Sequence, residues 1–388
     1  MAGPPLKPVA ITFVSSHAQM GGSERHLELL LESLGPDWVR GVVSLQEGPF
    51  VDRLRALGLP VEVVPTPARA GMLAASLKLR KVLRRHNPDL VHANGVKAAL
   101  AVGLATPGMG VPIVWAKHDY SWDGPLARLL ALRCTRVVAV SEAITTSFGP
   151  RTRGRVVVVP NGVPEYERER SAGRELVAQL LAAPADAPVT LLVGRLHPAK
   201  GQLELIGAAP EVLRRSPQAR FLLLGGEDPS QPEYGRLVRR RIDELGLGER
   251  VTLAGHRPDA LRVMSGCDVV VLPSVADERG AGKEACPFSL LEAMSVGTPV
   301  VAYAVGGIPE VLGDCGSLVP EGDTNGLAEA VLALLESEDA RSKASACALA
   351  RVRERHRLEV NVRSMEQVYR EALRPAGRPR ARTRMPPG

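Results

Sequence analysis

The chain has 388 residues, 45% hydrophobic and 23% charged, with a mean hydropathy of +0.00, which suits a globular protein of two ordinary domains and excludes a disordered or fibrous one. No apolar run reaches the roughly 18–20 residues of a membrane span. The net charge of +7 argues little for a nucleic-acid partner, because Arg374, Arg378, Arg380, Arg382 and Arg384 lie in an acid-free terminal stretch and leave only +2 for the body.

Short Val- and Leu-rich runs alternate with helical patterns along the first half. The predicted strands are 9–16, 39–45, 61–65, 89–93, 113–118, 136–141 and 156–160. Helices fall between them, as at 24–34, where Leu27, Leu30, Leu31 and Leu34 recur at helical spacing. Asn161 to Pro164 interrupts the rhythm, and the polar stretch to Arg174 reads as a connector. Strands resume at 189–195, 221–225, 251–254, 269–273 and 300–304, with helices at 202–215, 235–245 and 327–335. Strands without polar alternation are covered on both faces, so the expected class is α/β, with two doubly wound parallel sheets in tandem. No sequence repeat relates the halves. A last helix at 359–373 precedes residues 374–388, which are too polar and Pro-rich to bury a core and read as disordered.

Five cysteines, an odd number without a C-x-x-C pair, point to a reducing compartment, and the N-terminus lacks signal-peptide order. The expectation is a cytoplasmic protein. The basic run KLRKVLRR at 78–85 offers weak peripheral contact with an anionic membrane face, although a solvated helix face is its first reading.

In doubly wound sheets the ligand lies beyond the C-terminal strand ends, so junctions from strand to helix carry the candidates. GRLHPAKG (194–201) sets Arg195 and Lys200 beside Gly194 and a helix start, which suits a diphosphate; a loop with two solvated cations fits equally. In EACPFSLLE (284–292), Glu284 and Glu292 can both face a cleft and accept from paired sugar hydroxyls. Ser289 with Glu292 also has capping-box spacing, which would tie Glu292 to its own helix. Gly21 and Gly22 give a backbone that can approach a ligand, without the G-x-G-x-x-G fingerprint. His118 ends one strand, and His256 with Arg257 follows another, where a base or phosphate would come within reach. There is no D-x-D and no metal-ligand spacing, so cations and helix N-termini must neutralise any phosphate and no metal is expected.

Taken in order, GGSE, PDLVHANG, VWAKHD, VAVSEA, VVVVPNGV, VGRLHPAKGQLELIGAAPEVL, FLLLGGEDP, VTLAGHRPD, CDVVVLPS, KEACPFSLLEAMSVGTPVVAYAVGGIPEVL and LVPEGD resemble the retaining glycosyltransferases of family 4, of GT-B architecture. The resemblance implies two Rossmann-like domains facing across a cleft, at 1–163 and 164–356, with the last helix packing back on the first. It implies Arg195 and Lys200 on the donor diphosphate, Glu284 and His118 on the donor sugar, and Glu292 on the ribose. Phe288, Ser289 and Leu290 would offer amides, and Gly21 and Gly22 would lie under the diphosphate. It also implies a nucleoside-diphosphate sugar as co-substrate and no further cofactor, with retention of anomeric configuration. The acceptor would be a small metabolite, an antibiotic aglycone or a cell-envelope saccharide. An insert between Pro273 and Glu284 departs from the family pattern and makes Glu278 a competitor for the role of Glu284. A nucleotide-sugar 2-epimerase and an inactive nucleotide-sugar-binding homologue are the alternatives.

Overall fold

Runs such as VVVL and VVAY have no polar face to give to water, and they fold as central parallel strands with helices on both sides. The computed structural model describes residues 9–66, 71–121, 124–276 and 282–374. The first half runs β1 (Ile11–Ser15), α1 (Gly22–Leu34), β2 (Val39–Ser44), α2 (Pro49–Ala56), β3 (Val61–Val63), α3 (Met72–His86), β4 (Leu90–Asn94), α4 (Val96–Ala105), β5 (Ile113–Lys117), α5 (Pro125–Arg133), β6 (Arg136–Ala139), α6 (Glu142–Thr145), α7 (Pro150–Arg153) and β7 (Val156–Val158). The second half runs α8 (Arg170–Leu181), β8 (Val189–Val193), α9 (Gln202–Arg215), β9 (Arg220–Leu224), α10 (Tyr234–Glu244), β10 (Val251–Leu253), α11 (Ala260–Gly266), β11 (Val269–Leu272), α12 (Phe288–Ser295), β12 (Val300–Tyr303), α13 (Ile308–Leu312), β13 (Ser317–Val319), α14 (Thr324–Leu335), α15 (Glu338–Arg355) and α16 (Leu358–Ala372). The sheets have the orders β3-β2-β1-β4-β5-β6-β7 and β10-β9-β8-β11-β12-β13, and every pairing is parallel.

The faces of β1 show how the pleat sorts the cores. Ile11 and Phe13 point to a core shared with α1, α2 and α16, while Val14 points to one shared with α3, α4 and α5. Met365 and Tyr369 of α16 are fully buried against the first sheet, each stabilising that contact by roughly 1.5–3 kcal/mol. The Tyr369 hydroxyl also lies 2.9 Å from His92 Nδ1. The last helix thus belongs to the core of the first sheet, although its chain arrives from the second.

Three features depart from the sequence reading. The connector ending at Arg174 is helical from Arg170 onward, because Gly173 lets α8 meet α11 closely, with its Cβ position 2.4 Å from the Arg262 carbonyl oxygen. Strand β13 and the 18-residue α15 were not expected. The reading of the five cysteines as thiols of a reducing compartment is corrected by a disulfide between Cys315 and Cys347, 32 residues apart. The fold brings the turn after α13 beside α15, which spacing alone does not show. Among the described residues no helix is long and apolar enough to cross a membrane.

Candidate active site

Strand order reverses between β1 and β4 in one sheet and between β8 and β11 in the other. Helices leave in opposite directions at such a point, and a crevice opens beyond the strand ends. The first crevice receives Gly21 and Gly22 after β1, Asn94 at the end of β4 and His118 after β5; the second receives 194–201 after β8, Asp228 after β9 and Glu284 after β11. The crevices face each other. The Cβ position of Gly22 is 3.7 Å from Phe288 Cδ2, and Asn161 Nδ2 donates to the Cys286 carbonyl at 2.8 Å. The Glu310 carboxylate accepts from the backbone N–H of Glu142 at 2.6 Å and of Ala143 at 2.7 Å, joining α13 to the first domain.

Backbone fit sets the cation loop. Gly201 has φ +68°, and a Cβ there would fall 1.8 Å from the Pro273 carbonyl oxygen, so only glycine lets this loop press on the end of β11. That approach brings Lys200 Nζ onto Glu284 Oε1, which also accepts from Ser274 Oγ at 3.3 Å. Arg195 pairs with Asp228 at 2.9 Å and keeps a half-exposed side chain. Burial pushes the Asp228 carboxyl up, but the Ser230 hydroxyl and amide, together with Arg195, outweigh it and hold the group below the usual carboxylate range.

The two other carboxylates shift the opposite way. Burial raises Glu292 to about 7, with Arg25 of α1 pulling against it from across the cleft. Burial likewise raises Glu24, whose Oε2 accepts from Ser23 and whose Oε1 has no partner among the described residues. Three histidines sit behind the glycine loop. His26 and His118 have ring centroids 5.0 Å apart, and burial, aided by mutual repulsion with neighbouring imidazoles, lowers His26, His92 and His118 to about 3. They are neutral near pH 7. Asn94 Nδ2 donates to the Ser23 carbonyl at 3.1 Å, so its Oδ1 is the atom facing His118 Nε2 at 2.7 Å.

Profiles of known families match both halves of this architecture: "Glycosyltransferase Family 4" over residues 20–165 and "Glycosyl transferases group 1" over 187–337. A D-inositol 3-phosphate glycosyltransferase of Nocardia farcinica is 34% identical over 342 residues, covering 81% of this chain and 71% of the relative. The chain belongs to glycosyltransferase family 4. A 2-deoxystreptamine N-acetyl-D-glucosaminyltransferase of Streptomyces fradiae is 30% identical over 332 residues, covering 78% of this glycosyltransferase and 75% of that one. Anabaena Alr3699/HepE in complex with UDP-glucose superposes with a TM-score of 0.82 at 26% identity, over 93% of this chain and 99% of that chain.

In this family 4 glycosyltransferase the structure brings Arg195, Lys200, Gly194, Glu284, Glu292, Phe288, Gly21 and Gly22 to the facing strand ends. His118 lies there too, but Asn94 engages its Nε2, and its Nδ1 is enclosed without a partner among the described residues. The capping role of Ser289 is corrected: Pro287, extended at φ −72° and ψ 126°, holds the N-cap position and makes no side-chain cap bond. Helix α12 therefore starts at Phe288, with Ser289 inside its first turn and Leu290 buried. Arg257 is engaged by Asp259 through two bonds of 2.8 and 2.7 Å, and His256 is exposed beside it. Glu278 lies outside the described residues. Sequence reasoning missed Asp228, which follows β9 in GGEDPS, as well as Asn94 and Arg25. The signal for Asp228 was its position after the strand adjacent to β8.

Proposed function

We propose that this glycosyltransferase moves a hexosyl or N-acetylhexosaminyl unit from a nucleoside-diphosphate sugar to an acceptor hydroxyl, with retention at the anomeric carbon and without a metal. The observation that carries this reading is the convergence of Arg195, Lys200 and Glu284 at the β8/β11 reversal, opposite the glycine loop. HepE with UDP-glucose supports a uridine-linked donor, and the N-acetylglucosaminyltransferase relative supports an N-acetylhexosaminyl unit. The 2-deoxystreptamine and D-inositol 3-phosphate in the names of two relatives support a small polyhydroxylated cyclitol-like acceptor.

In this reading the diphosphate displaces Glu284 from Lys200 and meets the remaining N–H groups of Arg195, which Asp228 keeps in place. Glu284 is then released to the sugar hydroxyls, and Glu292 accepts from the ribose. The bond from the anomeric carbon to the phosphate oxygen breaks, and the acceptor oxygen bonds to the same face of that carbon. The acceptor proton passes to the departing phosphate oxygen. Negative charge grows on the diphosphate, where two fixed cations act most strongly. No side chain is assigned as a covalent nucleophile.

Arg195→Ala and Lys200→Ala are each expected to lower kcat by about two orders of magnitude or more, as loss of one charge-stabilising donor does. A panel of UDP- and GDP-sugars, followed by NMR of the product's anomeric proton, tests donor and stereochemistry together. Near-wild-type turnover in both variants, or inverted product, would overturn the assignment.

A further inference from the structure

Charge is distributed unevenly over this enzyme. Residues 71–164 hold thirteen Lys and Arg against four Asp and Glu, an excess larger than the net +7 of the whole chain. The helices α3, α4, α5 and α7 from this stretch contain no acidic residue. They pack in a row, α3 on α4, α4 on α5 and α5 on α7, along one side of the first sheet. Their outward sides therefore form a face of one sign. The opposite side of the sheet is built differently, with cations neutralised by nearby acids, as Arg53 is by Glu28 and Arg370 by Glu366.

The same face carries large apolar side chains in water. Leu73 and Leu77 of α3 are 70% and 65% exposed, and Leu129 and Leu132 of α5 are 60% and 46% exposed. At 100° per residue, Leu73, Leu77, Lys81 and Arg84 form one stripe of α3, opposite the buried Ala75, Leu79, Val82 and Leu83. Arg85 pairs with Glu62, whereas Lys81 and Arg84 have no carboxylate partner among the described residues. One exposed leucine is ordinary, but several on helices that carry no acid mark an interaction site. A soluble polyanion would use the cations and leave the leucines wet. A lipid surface uses both, with cations at the phosphates and leucines at the boundary with the acyl chains.

We propose that the α3–α4–α5 face docks onto an anionic lipid bilayer, with Leu73, Leu77, Leu129 and Leu132 entering the headgroup region and Lys81 and Arg84 meeting lipid phosphates. This surface is separate from the donor site and does not depend on the donor reading. Helices α3, α4 and α5 each follow a parallel strand, so they begin at the sheet edge where the cleft opens. Docking on this side brings the cleft mouth toward the headgroups.

Flotation of the full chain with vesicles of equimolar phosphatidylglycerol and phosphatidylcholine, against phosphatidylcholine alone, tests the proposal. The anionic vesicles are expected to carry the protein. Lys81→Gln with Arg84→Gln should weaken binding about 25-fold, at roughly fivefold per cation. Leu73→Ser with Leu77→Ser should weaken it further at unchanged charge, which attraction between charges alone would not do. Substituting Arg378, Arg380, Arg382 and Arg384 by Ser should leave most binding in place. All substituted positions on α3 are exposed, so melting temperature serves as the folding control. Failure of the wild type to float with anionic vesicles overturns the proposal. Loss through the tail variant alone does the same. So does a leucine variant that binds normally while the cation variant loses heparin binding, which would make the face a polyanion site.

Discussion

Donor binding should depend on pH through Glu292. Its carboxyl is lifted to about 7 by burial, against a reference of 4.5. If ribose hydroxyls donate to the ionised form, the apparent Kd for a nucleotide sugar should be flat above pH 8 and rise toward tenfold per unit below pH 7. Using the intact nucleotide sugar matters, because both its phosphates are diesters, whereas a free nucleoside diphosphate titrates near pH 6 on its own terminal phosphate. Glu292→Gln should abolish the pH slope and, at pH 8, weaken binding about tenfold or more through loss of a charge-assisted hydrogen bond. The ligand-free protein gives a second readout. Between pH 4.5 and 7 the folded state holds a proton at Glu292 that the unfolded chain has released, so this group lowers stability as pH rises through that window. The full shift is worth on the order of 3 kcal/mol, and Glu292→Gln should therefore be the more stable protein at pH 8 and nearly equal to wild type at pH 4.5. Calorimetric titration at pH 6, 7 and 8 measures the first effect and urea unfolding the second. A wild-type Kd that does not change from pH 8 to 6, or an equal slope in Glu292→Gln, refutes the argument.

Two further substitutions test the cation loop. Gly201→Ala should destabilise the fold by several kcal/mol or prevent folding, since its Cβ would lie 1.8 Å from the Pro273 carbonyl oxygen; a urea midpoint matching wild type would contradict this. Asp228→Asn removes the charge that holds Arg195 and should lower kcat by about tenfold, less than Arg195→Ala, because the guanidinium remains but is less well placed. Steady-state kinetics with a saturating donor decide it, and an Asp228→Asn effect as large as that of Arg195→Ala would show that Asp228 does more than position.

How much of this was readable in the chain follows from where the signal is physical. Strands buried on both faces announce themselves as Val and Leu runs, and β11 is an example; β13 has three residues behind Gly316 and carries no such run. Helix α15 buries only Ser345, Ala348 and Val352, so its apolar stripe is too thin to stand out among Arg, Ala and Ser. The cations and glutamates of the cleft were legible because strand-to-helix junctions have a fixed meaning in this fold class. Their partners were not. Asp228 and Asn94 act on groups far away in sequence, and the raised carboxyl of Glu292 comes from burial that only the folded chain supplies. The basic run at 78–85 was visible, but its neighbours on α5 became relevant only when packing placed the helices side by side.

Glu310 grips the first domain through two backbone amides. Any residue except proline at 142 or 143 supplies the same N–H, so this clasp reads the path of the chain and ignores its spelling. Lineages can rewrite the first half of the chain at these positions without disturbing how it meets the second half. A recombined enzyme that takes its first domain from another relative needs to inherit the turn before α6, and not its side chains, for the two halves to recognise each other.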